Sequence, residues 1–107
     1  MLIQVSRDNQ INDGEADPAS IEDIARTRMS RVLARVSTVE VHIGHVRQGG
    51  AGKPEYRCSV EIRPEGMSAV AASAEGSGVD TVTRSACDKV LHAYDRAVGK
   101  KDARASN

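Results

Sequence analysis

Two alternating apolar runs joined by a glycine-rich loop, together spanning Thr38 to Pro64, constrain this chain more than any other stretch. In the first run, Thr38 to Val46, Val39, Val41 and Ile43 share one parity and Glu40 and His42 the other. In the second, Glu55 to Arg63, Tyr56, Cys58, Val60 and Ile62 alternate with Arg57, Ser59, Glu61 and Arg63. Alternation sustained this long describes strands with one buried and one wet face. The connection, Arg47 to Pro54, holds three glycines, a lysine and a proline, which suits a hairpin loop. A hairpin with a single apolar face needs a covering layer, and the rest of the chain must supply it.

The flanking segments read as that layer and as two more strands. Met1 to Asp8 is a short strand with Ile3 and Val5 inward, and polar residues 9–17 form a loop. A helix follows, with Ser20 as its expected N-cap and Pro18 just upstream. Ile21, Ile24, Ala25, Val32 and Val36 recur at helical spacing, so the helix is expected to reach Ala34 or Arg35. Beyond the hairpin, Met67 to Glu75 reads as an alanine-rich edge strand with Val70, Ala72 and Ala74 on one parity. A second helix is expected from Val79 to Val98, with Val79, Val82, Ala86, Val90, Tyr94 and Ala97 inward and Gly99 as its stop. The order is β-α-β-β-β-α. The simplest packing is an α+β two-layer sandwich, a four-stranded mixed sheet with both helices on one face. Residues 1–99 form this one domain, and residues 100–107 read as a flexible C-terminal tail.

Composition bounds the rest. With no Phe, no Trp and two Tyr, the core must be built from Val, Ile, Leu and Ala. Such a core points to modest stability, or to support from self-association as a homodimer. Fifteen basic and fifteen acidic residues cancel, which argues against gripping nucleic acid by bulk charge alone. Residues 1–20 read as neither a basic leader nor an apolar signal segment, and no run approaches the ~20 apolar residues of a membrane span. The expectation is a cytoplasmic protein with no membrane partner and with reduced, buried thiols at Cys58 and Cys87.

Several short matches in the right order then coincide. They are Ile3-Gln4-Val5 with Asp8-Asn9, the run Val39 to Ile43, the strand Arg57 to Arg63, and Asp88-Lys89-Val90 in the last helix. Together with the element order, they resemble the ribosome hibernation promoting factor and ribosome-associated inhibitor A family, also called sigma-factor modulation proteins. The likeness covers residues 1 to about 100 and is to the short forms, which lack an extra dimerisation domain. The resemblance implies a non-enzymatic factor that binds the small ribosomal subunit through its ribosomal RNA, inhibits translation and promotes hibernation under stress, with no cofactor. Two features depart from the family pattern. The net charge is zero, and Thr83 to Cys87 stands where the family carries an Ala-Ile-Asp stretch.

Candidate contacts follow from helical geometry. At ~100° per residue, Arg28, Arg31 and Arg35 fall in one stripe beside the apolar face of the first helix. Lys89 and Arg96 share a flank of the second helix, continued by Lys100 and Lys101. Side by side, the two helices would present one basic surface able to hold phosphate oxygens without reading bases. Glu22, Asp23, Asp88 and Asp95 are expected on other parts of the helices. The plainer reading of such charges is a solvated rim, and the alternative function is a protein-interaction or regulatory module on the same fold that has lost ribosome binding. His42, His45 and Cys58 do not suit a metal site, because His42 and His45 point to opposite faces and Cys58 has apolar parity. The spacing of Ser, His and Asp residues suggests no nucleophile elbow or paired-carboxylate site. Gln48 to Lys53 lacks the spacing of a phosphate-binding loop.

Overall fold

The computed structural model describes residues 1–46 and 55–105. The elements are β1 (Leu2–Arg7), α1 (Pro18–Arg28), β2 (Val36–His45), β3 (Tyr56–Pro64), β4 (Val70–Gly76) and α2 (Val79–Ala105). The glycine-rich loop with Arg47 and Lys53 lies outside the described residues. The strands make one sheet in the order β1-β2-β3-β4. β1 runs parallel to β2, and the other two pairs are antiparallel. Both helices pack on the same face, α1 against β1 and α2, and α2 against β3 and β4. This is the α+β sandwich that the alternation called for.

The core lies between these layers. Val39, Val41 and Ile43 from β2 and Cys58, Val60 and Ile62 from β3 are almost wholly buried. They meet Ile21, Ala25 and Met29 below α1 and Val82, Ala86 and Val90 below α2. β4 is an edge strand, as its alanines implied. Ala74 is buried, while Val70 and Ala72 are partly buried against the core. A β-bulge reconciles two buried residues of opposite parity on β2. Val36 pairs with Pro64 and Thr38 with Arg63, leaving Ser37 as the extra residue, and its Oγ donates to Arg63 O at 3.1 Å. The bulge lets Val36 and Val39 both face the core.

The helix ends differ from expectation. The N-cap of α1 is Asp17, not Ser20. Its Oδ1 accepts from Ala19 N at 3.2 Å and its Oδ2 from the Ser20 hydroxyl at 3.1 Å. Pro18 occupies the first turn, where its missing N–H costs nothing and its fixed φ favours the helix. At the other end α1 stops at Arg28 rather than Ala34 or Arg35, and a 3-10 turn, Ser30–Val32, follows. The tightening of Val32 N to Met29 O and Arg35 N to Val32 O, 3.0 and 2.9 Å, delivers Val36 to the sheet. By contrast α2 passes through Gly99 and continues to Ala105. Gly99 does not adopt positive φ, so it weakens the helix without capping it.

Candidate nucleic-acid interface

The charged surface of the helical layer begins where α1 and α2 meet. Arg28, at the end of α1, places Nη1 3.3 Å from both carboxylate oxygens of Asp88. Arg31, in the 3-10 turn, places Nη2 2.8 and 3.0 Å from the oxygens of Asp95. All four side chains are about half exposed. Asp88 and Asp95 therefore do not lie away from the basic stripe, as the sequence reading had them. They face it across the helix–helix seam. The helices run in the same direction, so the earlier arginine meets the earlier aspartate.

A second group of cations gathers at one end of the molecule. Arg35 follows the 3-10 turn, and its carbonyl accepts from Glu65 N at 2.9 Å. That bond ties it to the β3–β4 turn, where Gly66 adopts a φ of 71°, a conformation that favours glycine. The carbonyl of Gly66 accepts from Lys101 Nζ at 3.1 Å. Lys100 and Lys101 then line an open groove with Met67, Val70 and Ala97. The backbone of Arg35 and the side chains of Lys100 and Lys101 thus border the same turn, which also carries Glu65, and Arg96 stands one helical turn before Lys100. Among the described residues, the side chains of Arg35, Arg96 and Lys100 make no hydrogen bond or ion pair. Lys89 lies apart, on the side of α2 nearest the sheet edge, with Nζ 3.4 Å from the carbonyl of Ser73 in β4.

No protein-family model matches the chain, and no curated protein matches it in sequence. Among solved structures, a ribosomal subunit interface protein from Coxiella burnetii matches with a TM-score of 0.65 at 14% identity, over 95% of this chain and 99% of that one. The N-terminal domain of Thermus thermophilus Protein Y matches with a TM-score of 0.62, also at 14% identity, over 90% of this chain and 98% of that one. The chain has the fold of these proteins. That fold is also the one implied by the residue resemblance.

The opposite end of the sheet carries a polar network that the sequence reading did not assemble. His42 Nε2 lies 2.8 Å from Asp8 Oδ1, and its Nδ1 lies 2.7 Å from the Ser6 hydroxyl. His45 N donates to Asp8 Oδ2 at 3.3 Å. On the other face, Tyr56 OH donates to Glu15 Oε2 at 2.8 Å, and His45 Nε2 lies 3.2 Å from the same oxygen. The bond to His42 is the main reason Asp8 is held below the ordinary carboxylate range. The Tyr56 hydroxyl, then His45, do the same for Glu15, and the shared bond raises Tyr56. The histidines do diverge to opposite faces, each finding a separate carboxylate. Cys58 is buried on the inner face. Among the described residues, no group of three or more His, Cys, Asp or Glu side chains is placed to hold a metal. What this network does is pin the loop after β1 to β2 and β3. In the sequence Asp8 and Asn9 belong only to the family likeness, and nothing in their spacing points to His42.

Proposed function

We propose that this chain is a ribosome-associated factor that binds the RNA of the small ribosomal subunit and restrains translation, and that it belongs with the hibernation promoting factors. The observation that carries the reading is the placement of Lys100 and Lys101 beside the β3–β4 turn that the Arg35 backbone also joins, in a chain with the fold of a ribosomal subunit interface protein. Arg96 extends this cationic end, while Arg28 and Arg31 lie along the α1–α2 seam and Lys89 stands apart beside β4. Such side chains hold phosphate oxygens and recognise folded RNA by shape rather than by base. A net charge of zero is compatible with this role because binding depends on where the cations sit. The protein acts in this reading without cofactor, in the cytoplasm. No helix among the described residues is long and apolar enough to cross a membrane.

The open edge of β4 favours a second reading, a protein-interaction module on the same fold. Val70–Gly76 carries one charged residue, Glu75, and pairs on one side only, the kind of edge to which another strand can add. In vitro translation separates the two. The ribosomal reading expects added protein to inhibit translation, and the triple variant Arg35→Glu, Arg96→Glu, Lys100→Glu to need about tenfold or more protein for the same effect. Equal inhibition by the variant, or none by the parent protein, contradicts it.

A further inference from the structure

We propose that Asp88 and Asp95 are built-in competitors of RNA phosphate, so that Arg28 and Arg31 engage a ribosomal site only where phosphates displace both carboxylates. The inference rests on the ribosomal reading above and deepens it. Each arginine already has an anion at hydrogen-bonding distance, supplied by the neighbouring helix. A guanidinium held by a carboxylate presents its remaining N–H groups to solvent, but its charge is largely offset. A single passing phosphate meets a nearly neutral pair. The two pairs lie in sequence along one seam, so an RNA with phosphates spaced to reach both can exchange two carboxylates for two phosphates.

The exchange is feasible because the pairs are weak. Both are about half exposed, and such ion pairs typically hold by no more than about 1 kcal/mol, a factor of about five. Arginine forms bidentate bonds with phosphate as readily as with carboxylate. The aspartates thus lower affinity for every polyanion while penalising poorly spaced phosphates most. In this account they are specificity-determining residues and explain how a chain of zero net charge can carry a phosphate-binding face.

Cosedimentation with purified small ribosomal subunits tests this, comparing the parent protein with Asp88→Asn, Asp95→Asn and the double variant. Glu40→Gln is the control. Glu40 is exposed on β2, between the buried Val39 and Val41, so it lies on the sheet face away from the helices. Each aspartate substitution should tighten binding roughly two- to five-fold, and both together more. The same substitutions should tighten binding to an unstructured polyribonucleotide by a larger factor, because the loss of competition matters most for poorly matched anions. Glu40→Gln should change little. If parent and double variant bind alike, or Glu40→Gln has the same effect as Asp95→Asn, the competitor role is wrong while the ribosomal reading stands. If the parent does not bind at all, both fail.

Discussion

Arg31 and Asp95 meet across the seam between the 3-10 turn and α2, with one guanidinium nitrogen 2.8 Å from a carboxylate oxygen. The pair joins residues far apart in sequence, yet both side chains remain about half exposed. Exposure decides its worth. In a double-mutant cycle of Arg31→Ala and Asp95→Ala read by urea unfolding, the coupling should be about 0.2–1 kcal/mol and should shrink in high salt. A coupling of several kcal/mol would mean that the seam is a stability device first, and would count against exchange with phosphate.

Acid should loosen the network at the far end of the sheet. Asp8 and Glu15 are held below their ordinary values by bonds made in the folded chain. The folded state thus binds fewer protons than the unfolded state. The resulting stability is complete above the ordinary carboxylate range and is lost as the pH falls through the folded values. Tyr56 works in the opposite sense. Its raised value gives stability that is complete below the ordinary tyrosine value and is lost as the pH rises through the folded one. Unfolding by urea from pH 7 to pH 3 should therefore show a shallower acid decline for Asp8→Asn than for the parent protein. Parallel curves would remove Asp8 from the account.

Gly44 gives the Asp8 carboxylate room to approach β2. A Cβ at Gly44 would sit 2.7 Å from Asp8 Oδ2, the oxygen that accepts from His45 N. Gly44→Ala should cost about 0.5–1.5 kcal/mol through the displaced Asp8 hydrogen bonds, and little in an Asp8→Ala background, where the carboxylate is gone. Additive losses would show that the strain at Gly44 lies elsewhere.

The thiols should be inert in the folded protein. Burial pushes Cys58 up to about 11 and Cys87 up to about 12, so thiolate is scarce at neutral pH. Alkylation by iodoacetamide at pH 7.5 should proceed only through unfolding and accelerate in step with urea. Rapid modification without denaturant would contradict the packing of α2 on β3.

The sheet was legible because a period of two leaves little choice. Val39 to Ile43 and Tyr56 to Ile62 have one buried parity each, and the structure keeps it. The end of α1 was not legible, because Val32 and Val36 satisfy helical spacing while Val36 is the first residue of a bulged strand. A bulge is invisible to periodicity, since it is the place where the period breaks. Pro18 signals the start of α1, and a proline at the first helical position puts the cap immediately before it, at Asp17 rather than at Ser20. Gly99 misled for the opposite reason. A glycine stops a helix when the chain needs positive φ, and here α2 simply continues. In the candidate interface, single-helix geometry puts Arg28, Arg31 and Arg35 in one stripe, but α1 ends at Arg28, with Arg31 in the 3-10 turn and Arg35 beyond it. The pairing of Arg28 with Asp88 depends on how two helices pack, which neither helix encodes alone.

The central claim is that this fold binds the small ribosomal subunit through the cations of its helical layer. Cosedimentation of the purified protein with small subunits over a salt series tests it most directly. The account predicts near-stoichiometric binding at low salt that weakens steeply as salt rises, and that weakens further when Arg35, Arg96 and Lys100 become Glu. No binding at low salt, or binding indifferent to both salt and these substitutions, would contradict it.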